Sequence, residues 1–157
     1  MESCLRRITT LALCAALTLS CKHQEHDDIV LSQSSASSTA PDAPLPFLKD
    51  ETEGVLRAQR EGRPLLLYFH AQWSVACKEL ETKTFMDPRV RAASAPFVAI
   101  SVDTTNDEDP QVQALMKKYK VAPLPTVILI NRSGTEVKRF SAFVDPENMV
   151  AALAAVK

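Results

Sequence analysis

The chain alternates short, uninterrupted apolar runs with segments that open on an Asp-Pro pair. The apolar runs are LLLYFH, FVAISVD and TVILI, at residues 65–70, 97–103 and 126–130. Runs of this length predict strands that are buried on both faces of a sheet. The pairs begin at Asp87, Asp109 and Asp145. Each pair predicts a helix, because aspartate accepts unpaired amide hydrogens and proline has none to leave unpaired at the first helical position.

The remaining elements complete an alternating order. Further helices are predicted at 49–61 and 75–84, and the Asp-Pro helices are predicted at 88–94, 110–119 and 146–156. Val55, Leu56 and Gln59 share one face of the first helix. The last apolar run continues through a turn at 131–134 into another strand. Helices interleaved with strands predict the α/β class, with a central sheet covered on both faces.

Residues 1–21 form a predicted targeting segment. Arg6 and Arg7 supply positive charge, and the apolar core at 8–19 is too short to span a bilayer. The run LTLSC at the end of the segment resembles the lipobox of bacterial lipoproteins, which puts Cys21 at the acylated position. We therefore expect a periplasm-facing lipoprotein of the bacterial cell envelope, held at the membrane by its lipid. Cleaved secretion without acylation and an uncleaved anchor are the alternatives.

Residues 22–46 are predicted to form a disordered tether. They are rich in Ser, Ala and Pro and lack apolar periodicity, so they bury too little surface to offset chain entropy. The run KHQEHDD at 22–28 is interpreted as a solvated spacer, because nothing holds its His and Asp side chains in place for a metal. The folded domain is therefore expected at 47–157, without a metal or a cofactor.

Cysteine usage limits the chemistry of the folded domain. The four cysteines are Cys4, Cys14, Cys21 and Cys77. The first two would leave with the targeting segment and the third would carry lipid, so Cys77 alone remains and no internal disulfide is expected. That is unusual for an exported chain. The net charge of −1 also gives no electrostatic signature of nucleic-acid binding.

Two short motifs resemble a known family. Trp73, Cys77 and Lys78 match the Trp-Cys-x-x-Cys-Lys motif of thioredoxin-fold domains, and Leu124-Pro125-Thr126 matches their cis-proline loop. The central VA and the following FMDPRV resemble the C-terminal periplasmic domain of the thiol-disulfide interchange protein DsbD in particular. The resemblance covers nearly all of the folded part. It implies a thioredoxin-like fold, with a central mixed β-sheet flanked by helices and the proline loop beside the active site.

Two positions depart from that family's pattern. Ser74 occupies the position of the attacking cysteine, and Tyr68 stands where many members carry a buried acidic residue that handles the proton of the second thiol. Exchange begins when a thiolate at a helix N-terminus attacks a disulfide sulfur. A serine hydroxyl stays protonated near neutral pH and forms no stable counterpart of the mixed disulfide. Ser74 is instead predicted to be a helix N-cap that accepts from the amide of Ala76 or Cys77.

Two hypotheses about function follow from the resemblance. In the first, which we favour, a redox-degenerate protein binds an envelope protein or assists an assembly. A groove formed by Trp73, Leu124 and Pro125 would then hold an extended peptide segment. In the second, Cys77 is the catalytic thiol of a monothiol disulfide oxidoreductase, and an external thiol resolves the mixed disulfide.

A third hypothesis assigns a hydrolase function, and each candidate residue also has a purely structural interpretation. Ser74 would be a hydrolase nucleophile with His70 as its base, although the sequence shows no carboxylate to orient the histidine. In the structural interpretation, Cys77 is a buried and inert core residue. Trp73 then covers the start of the helix, and Pro125 marks an inherited turn without a ligand.

Overall fold

The computed structural model describes residues 45–156, which form a four-stranded mixed sheet flanked by helices. The strands are β1 Leu65–His70, β2 Val98–Asp103, β3 Thr126–Ile130 and β4 Glu136–Phe140. Their order across the sheet is β2-β1-β3-β4. The β1–β2 pair is parallel and the other two pairs are antiparallel. The α/β class, the mixed sheet and the final hairpin are as the sequence predicts.

The helices follow the predicted order. They are α1 Glu51–Glu61, α2 Val75–Glu79, α3 Pro88–Ser94, α4 Pro110–Lys118 and α5 Pro146–Ala155, and a π-helical turn at Leu80–Thr84 extends α2. All three Asp-Pro predictions are confirmed. The carboxylates of Asp87, Asp109 and Asp145 accept the amide hydrogens of Arg89, Gln111 and Asn148. Asp50 caps α1 in the same way, without a proline after it.

Alternation along β1 divides the core into two layers. Leu66 and Tyr68 lie on one side of the sheet, in a cluster that also contains Leu80 from the helix after β1. Leu67 and Phe69 lie on the other side, in a second cluster. Because both faces of β1 are covered, its sequence is one continuous apolar run and does not alternate between apolar and polar residues.

The packed face of α1 differs from the predicted one, because Val55 packs on the core whereas Leu56 and Gln59 are exposed. The buried positions of this helix include Gly54 and Ala58, whereas Leu56 is about half exposed. A methyl group at Gly54 would lie 2.4 Å from Cδ1 of the buried Ile100. Glycine therefore allows α1 to approach β2 more closely than any other residue would.

Residues 45–46, at the end of the predicted tether, are the first that the structure describes. Leu45 is buried, and the ring of Phe47 lies 5.9 Å from the ring of Tyr68. The predicted targeting segment with Cys21 and the tether as far as residue 44 lie outside the described residues. Within 45–156, no helix is both long enough and apolar enough to cross a membrane.

The strand register brings three loops to one edge of the sheet. His70 at the end of β1 is paired with Asp103 at the end of β2. Phe69 is paired with Thr126 at the start of β3. The loop after β1, the loop after β2 and the loop before β3 therefore leave the sheet at the same edge. The first and third of these loops carry the two motifs singled out from the sequence.

Candidate functional site

Ser74 stands at the head of α2 and is its N-cap. Its backbone is extended, and its hydroxyl oxygen accepts the amide hydrogen of Cys77 at 3.3 Å. The serine is buried in this position. The predicted cap is confirmed, and the oxygen satisfies one of the amide hydrogens that a helix leaves unpaired at its start.

Cys77 lies in the first turn of α2 and is almost completely buried, with 1% of its surface exposed. It is the only cysteine in the part of the chain that the structure describes. Leu80 and Thr84, on the same side of the helix, are fully buried as well. An external disulfide cannot reach the Cys77 sulfur in this conformation.

Trp73 and Val75 flank the buried serine and point outward. They are 64% and 80% exposed. The indole nitrogen of Trp73 donates to the carbonyl oxygen of Thr105 at 3.3 Å, so the ring is tied to the loop after β2. The backbone amide of Gln72 donates to the Thr105 hydroxyl at 2.9 Å and holds the same two loops together.

Leu124 and Pro125 form the third loop at this edge. The peptide bond between them is cis, as the resemblance implies. Pro125 is buried and Leu124 is partly exposed. The hydroxyl of Thr126 donates to the carbonyl oxygen of Pro123 at 2.7 Å and fixes the end of the loop. Trp73 and Leu124 therefore lie on neighbouring loops, at the head of α2.

Tyr68 lies directly beneath α2. Its hydroxyl lies 3.3 Å from the carbonyl oxygen of Cys77 and 3.1 Å from Oε1 of Glu81. Burial raises the pKa of Tyr68 far above its usual value, and the neighbouring Cys77 and Glu81 raise it further. Tyr68 therefore stays protonated and acts as a hydrogen-bond donor. It cannot accept a proton as the acidic residue of related proteins would.

His70 has a carboxylate neighbour that sequence reasoning missed. Its Nδ1 lies 3.7 Å from Oε1 of Glu81, and its ring stacks on Tyr68 with 4.9 Å between centroids. The structure therefore supplies a carboxylate beside His70 that was not evident from the sequence. Glu81 follows Cys77 by four residues, so it lies on the same helical face, and this spacing was the available signal.

The serine hydrolase arrangement is nevertheless not assembled. Among the hydrogen bonds of residues 45–156, none joins the imidazole of His70 to Ser74 or to Cys77. The ring faces Glu81 instead, and burial lowers its pKa. Across the same described range, no group of three or more His, Cys, Asp or Glu side chains is placed to hold a metal ion.

The chain matches the family of thioredoxin-like domains over residues 53–157. It is 40% identical over 98 residues to the thiol:disulfide interchange protein DsbD of Salmonella typhimurium. That alignment covers 61% of this chain and 17% of the relative. The matched part of this chain thus spans less than a fifth of the length of such curated relatives.

Two solved structures resemble the fold. The oxidised C-terminal domain of Neisseria meningitidis DsbD superimposes with a TM-score of 0.61 at 23% identity. The superposition covers 71% of this chain and 99% of that domain. A thioredoxin from Thermus thermophilus gives a TM-score of 0.59 at 27% identity, over 69% of this chain and 84% of the other.

Proposed function

This chain belongs to the thioredoxin-like domain family, and we propose that it is an envelope-anchored member that binds an extended protein segment without exchanging dithiols. It is related to thiol-disulfide oxidoreductases, as its similarity to DsbD indicates. One observation carries the proposal. At the head of α2, where a thiolate would attack, a serine oxygen accepts the amide hydrogen of Cys77.

Dithiol exchange requires two sulfur atoms that take turns as nucleophile and leaving group. The described part of the chain has a single cysteine, Cys77, and its exposure is 1%. Tyr68 beneath it donates hydrogen bonds and takes up no proton. The site therefore lacks an attacking thiol and a proton acceptor, and its one remaining thiol is buried. A monothiol mechanism would also need the buried Cys77 to become accessible.

A binding role is supported by what remains at the site. Trp73 and Val75 are exposed apolar side chains at the head of α2, and the partly exposed Leu124 lies on the neighbouring loop. Large apolar groups that stay in water without packing partners commonly mark interaction surfaces. The partner proposed here is an extended, partly apolar segment of another envelope protein.

The location in the envelope rests on the N-terminal sequence. The segment at 1–21 ends on Cys21 in a lipobox-like context, and the relatives are thiol:disulfide interchange proteins. Mass spectrometry of the full chain extracted from bacterial membranes should show a mature N-terminus at Cys21 that carries acyl chains. A mature N-terminus at any other residue would contradict the anchoring.

The full chain and two variants test the absence of exchange. Wild-type protein should not accelerate the reduction of insulin by dithiothreitol. Ser74→Cys should form a disulfide with Cys77 on oxidation and accelerate reduction by about tenfold or more, because it restores a thiol at a helix N-terminus. Ser74→Ala is the matched control and should be as inactive as the wild type.

Two results would overturn this assignment in different ways. Insulin reduction by the wild type that disappears in Cys77→Ala would establish a monothiol oxidoreductase. Covalent labelling of Ser74 by a fluorophosphonate would establish a hydrolase. Either result leaves the fold assignment intact and replaces the function.

Binding can be followed through Trp73, the only tryptophan in the chain. The carboxymethylated insulin B chain is unfolded and lacks tryptophan, so it should shift the emission of Trp73 to shorter wavelength and saturate. Leu124→Ser should weaken this binding by about threefold or more, because it removes apolar surface from the groove. Val137→Ser, an exposed apolar position on β4, is the control. Equal affinities for the two variants would exclude this groove as the binding site.

A further inference from the structure

A cavity of about 410 Å³ opens beside α2 and is separate from the proposed peptide groove, since neither Trp73 nor Leu124 lines it. Its apolar wall includes the rings of Phe47, Tyr68 and Phe85, with Leu45 and Met86 beside them. The centroid of Phe85 lies 4.9 Å from that of Tyr68 and 5.3 Å from that of Phe47. Because the three rings contact one another, they form a preformed surface for an apolar ligand. The volume is within the range that binds small organic molecules.

The other end of the cavity is polar, and its two charged groups differ in the partners that they already have. Lys49 donates from Nζ to the hydroxyl of Ser101 at 2.8 Å, and Ser101 is 3% exposed. No carboxylate within residues 45–156 forms an ion pair with Lys49. Glu81, the acidic group of the cavity, already accepts from Tyr68 and lies beside His70. At the mouth of the cavity the exposed Lys49 ammonium therefore has only a neutral hydroxyl as its side-chain partner, whereas Glu81 already accepts a hydrogen bond.

We propose that this cavity binds a small organic carboxylate with an aromatic or branched aliphatic body. The carboxylate lies against the Lys49 ammonium and the hydroxyl of Ser101, and the body packs on the ring of Phe47 and its two aromatic neighbours. A ligand with an amine in place of the carboxylate would bring a positive charge toward Lys49. Oε1 of Glu81, the acidic group of the cavity, already accepts a hydrogen bond from Tyr68. The site is independent of peptide binding at Trp73 and of any thiol chemistry.

Three probes that differ only in their head group test the assignment on the full chain. They are 3-phenylpropionate, 3-phenylpropionamide and 3-phenylpropylamine, each titrated while backbone amide signals are followed by NMR. The carboxylate should shift the signals of Tyr68 and Ser101 saturably. It should bind about fivefold more tightly than the amide, which is the range of one partly exposed charge pair. The amine should bind more weakly than the amide.

A lysine variant with a matched control completes the test. Lys49→Gln should reduce the affinity for the carboxylate to that for the amide and leave the amide unchanged. Lys83→Gln, an exposed lysine paired with Glu79 outside the cavity, should change neither affinity. The proposal is overturned if the carboxylate causes no saturable shifts, if the amine binds best, or if Lys49→Gln binds the carboxylate as the wild type does.

Discussion

Ser74 has a structural role at the position where related proteins carry the attacking cysteine. The hydroxyl holds the first turn of α2 by accepting from Cys77, so the residue has a structural task that is independent of chemistry. We therefore predict that Ser74→Ala lowers the free energy of unfolding by about 1 kcal/mol, and that Ser74→Gly lowers it by only a few tenths. Urea denaturation of the full chain measures both.

The order of these two variants is informative, because glycine normally destabilises a chain more than alanine does. Val75→Ala, at the 80% exposed position next to the cap, should change stability by less than about 0.5 kcal/mol. If Ser74→Gly proves more destabilising than Ser74→Ala, Ser74 is not acting as the cap. The stability of this helix would then come from its packing alone.

Helix α4 depends on its cap more than the other helices do. It contains no fully buried residue, and its contacts with the core come from partly buried side chains such as Leu115 and Met116. Asp109 accepts the amide hydrogens of Gln111 and Val112 at its start. Asp109→Ala should therefore destabilise the chain by about 1 kcal/mol and accelerate hydrogen exchange in the peptides that contain α4.

Asp107 provides the control for this prediction. It belongs to the same loop and is exposed, but its carboxylate caps no helix in the structure. Asp107→Ala removes the same charge and should leave the exchange of α4 unchanged. Equal acceleration in both variants would show that α4 responds to the net charge of the loop rather than to its cap.

The sequence predicts helix starts better than it predicts what happens inside a helix. Capping is local, so each Asp-Pro pair, such as the one at Asp109, was enough to predict a helix start. The π-helical turn at Leu80–Thr84 has no such signal. There the amide of Phe85 donates to the carbonyl oxygen of Leu80, and Thr84 donates to the carbonyl oxygen of Val144. The partner of Thr84 is 60 residues away, so the turn depends on tertiary packing.

Across the whole molecule, contacts between distant segments were the part that sequence reasoning missed. The sheet and its two covered faces follow from short apolar runs. Glu81 and His70 meet only because α2 folds back over β1. The buried Glu51 accepts a hydrogen bond from Tyr119 and forms an ion pair with Lys118. Its position in the first turn of α1 gives no sequence signal for either partner. Both carboxylates look like ordinary solvated side chains until the fold supplies their partners.

His70 connects the candidate site to the stability of the whole molecule. Burial lowers its pKa below the usual 6.5, with Lys49 acting in the same direction and the facing Asp103 and Glu81 opposing it. Between the lowered folded-state pKa and about 6.5, the unfolded chain therefore binds a proton that the folded chain does not bind. The free energy of unfolding should fall as the pH decreases from about 7 toward 5, and it should stop falling once the pH passes below the folded-state pKa.

His70→Gln should flatten this part of the stability profile, because glutamine does not titrate. Carboxylates whose pKa is lowered in the folded chain act mainly at lower pH than His70 does. Asp87, for example, has a pKa lowered to about 2 by its hydrogen bonds with Arg89, and its contribution is lost only as the pH falls below 4. Urea titrations at half-unit pH steps separate the two windows. An unchanged slope between pH 7 and 5 in His70→Gln would mean that the imidazole of His70 is protonated equally in the folded and unfolded chains.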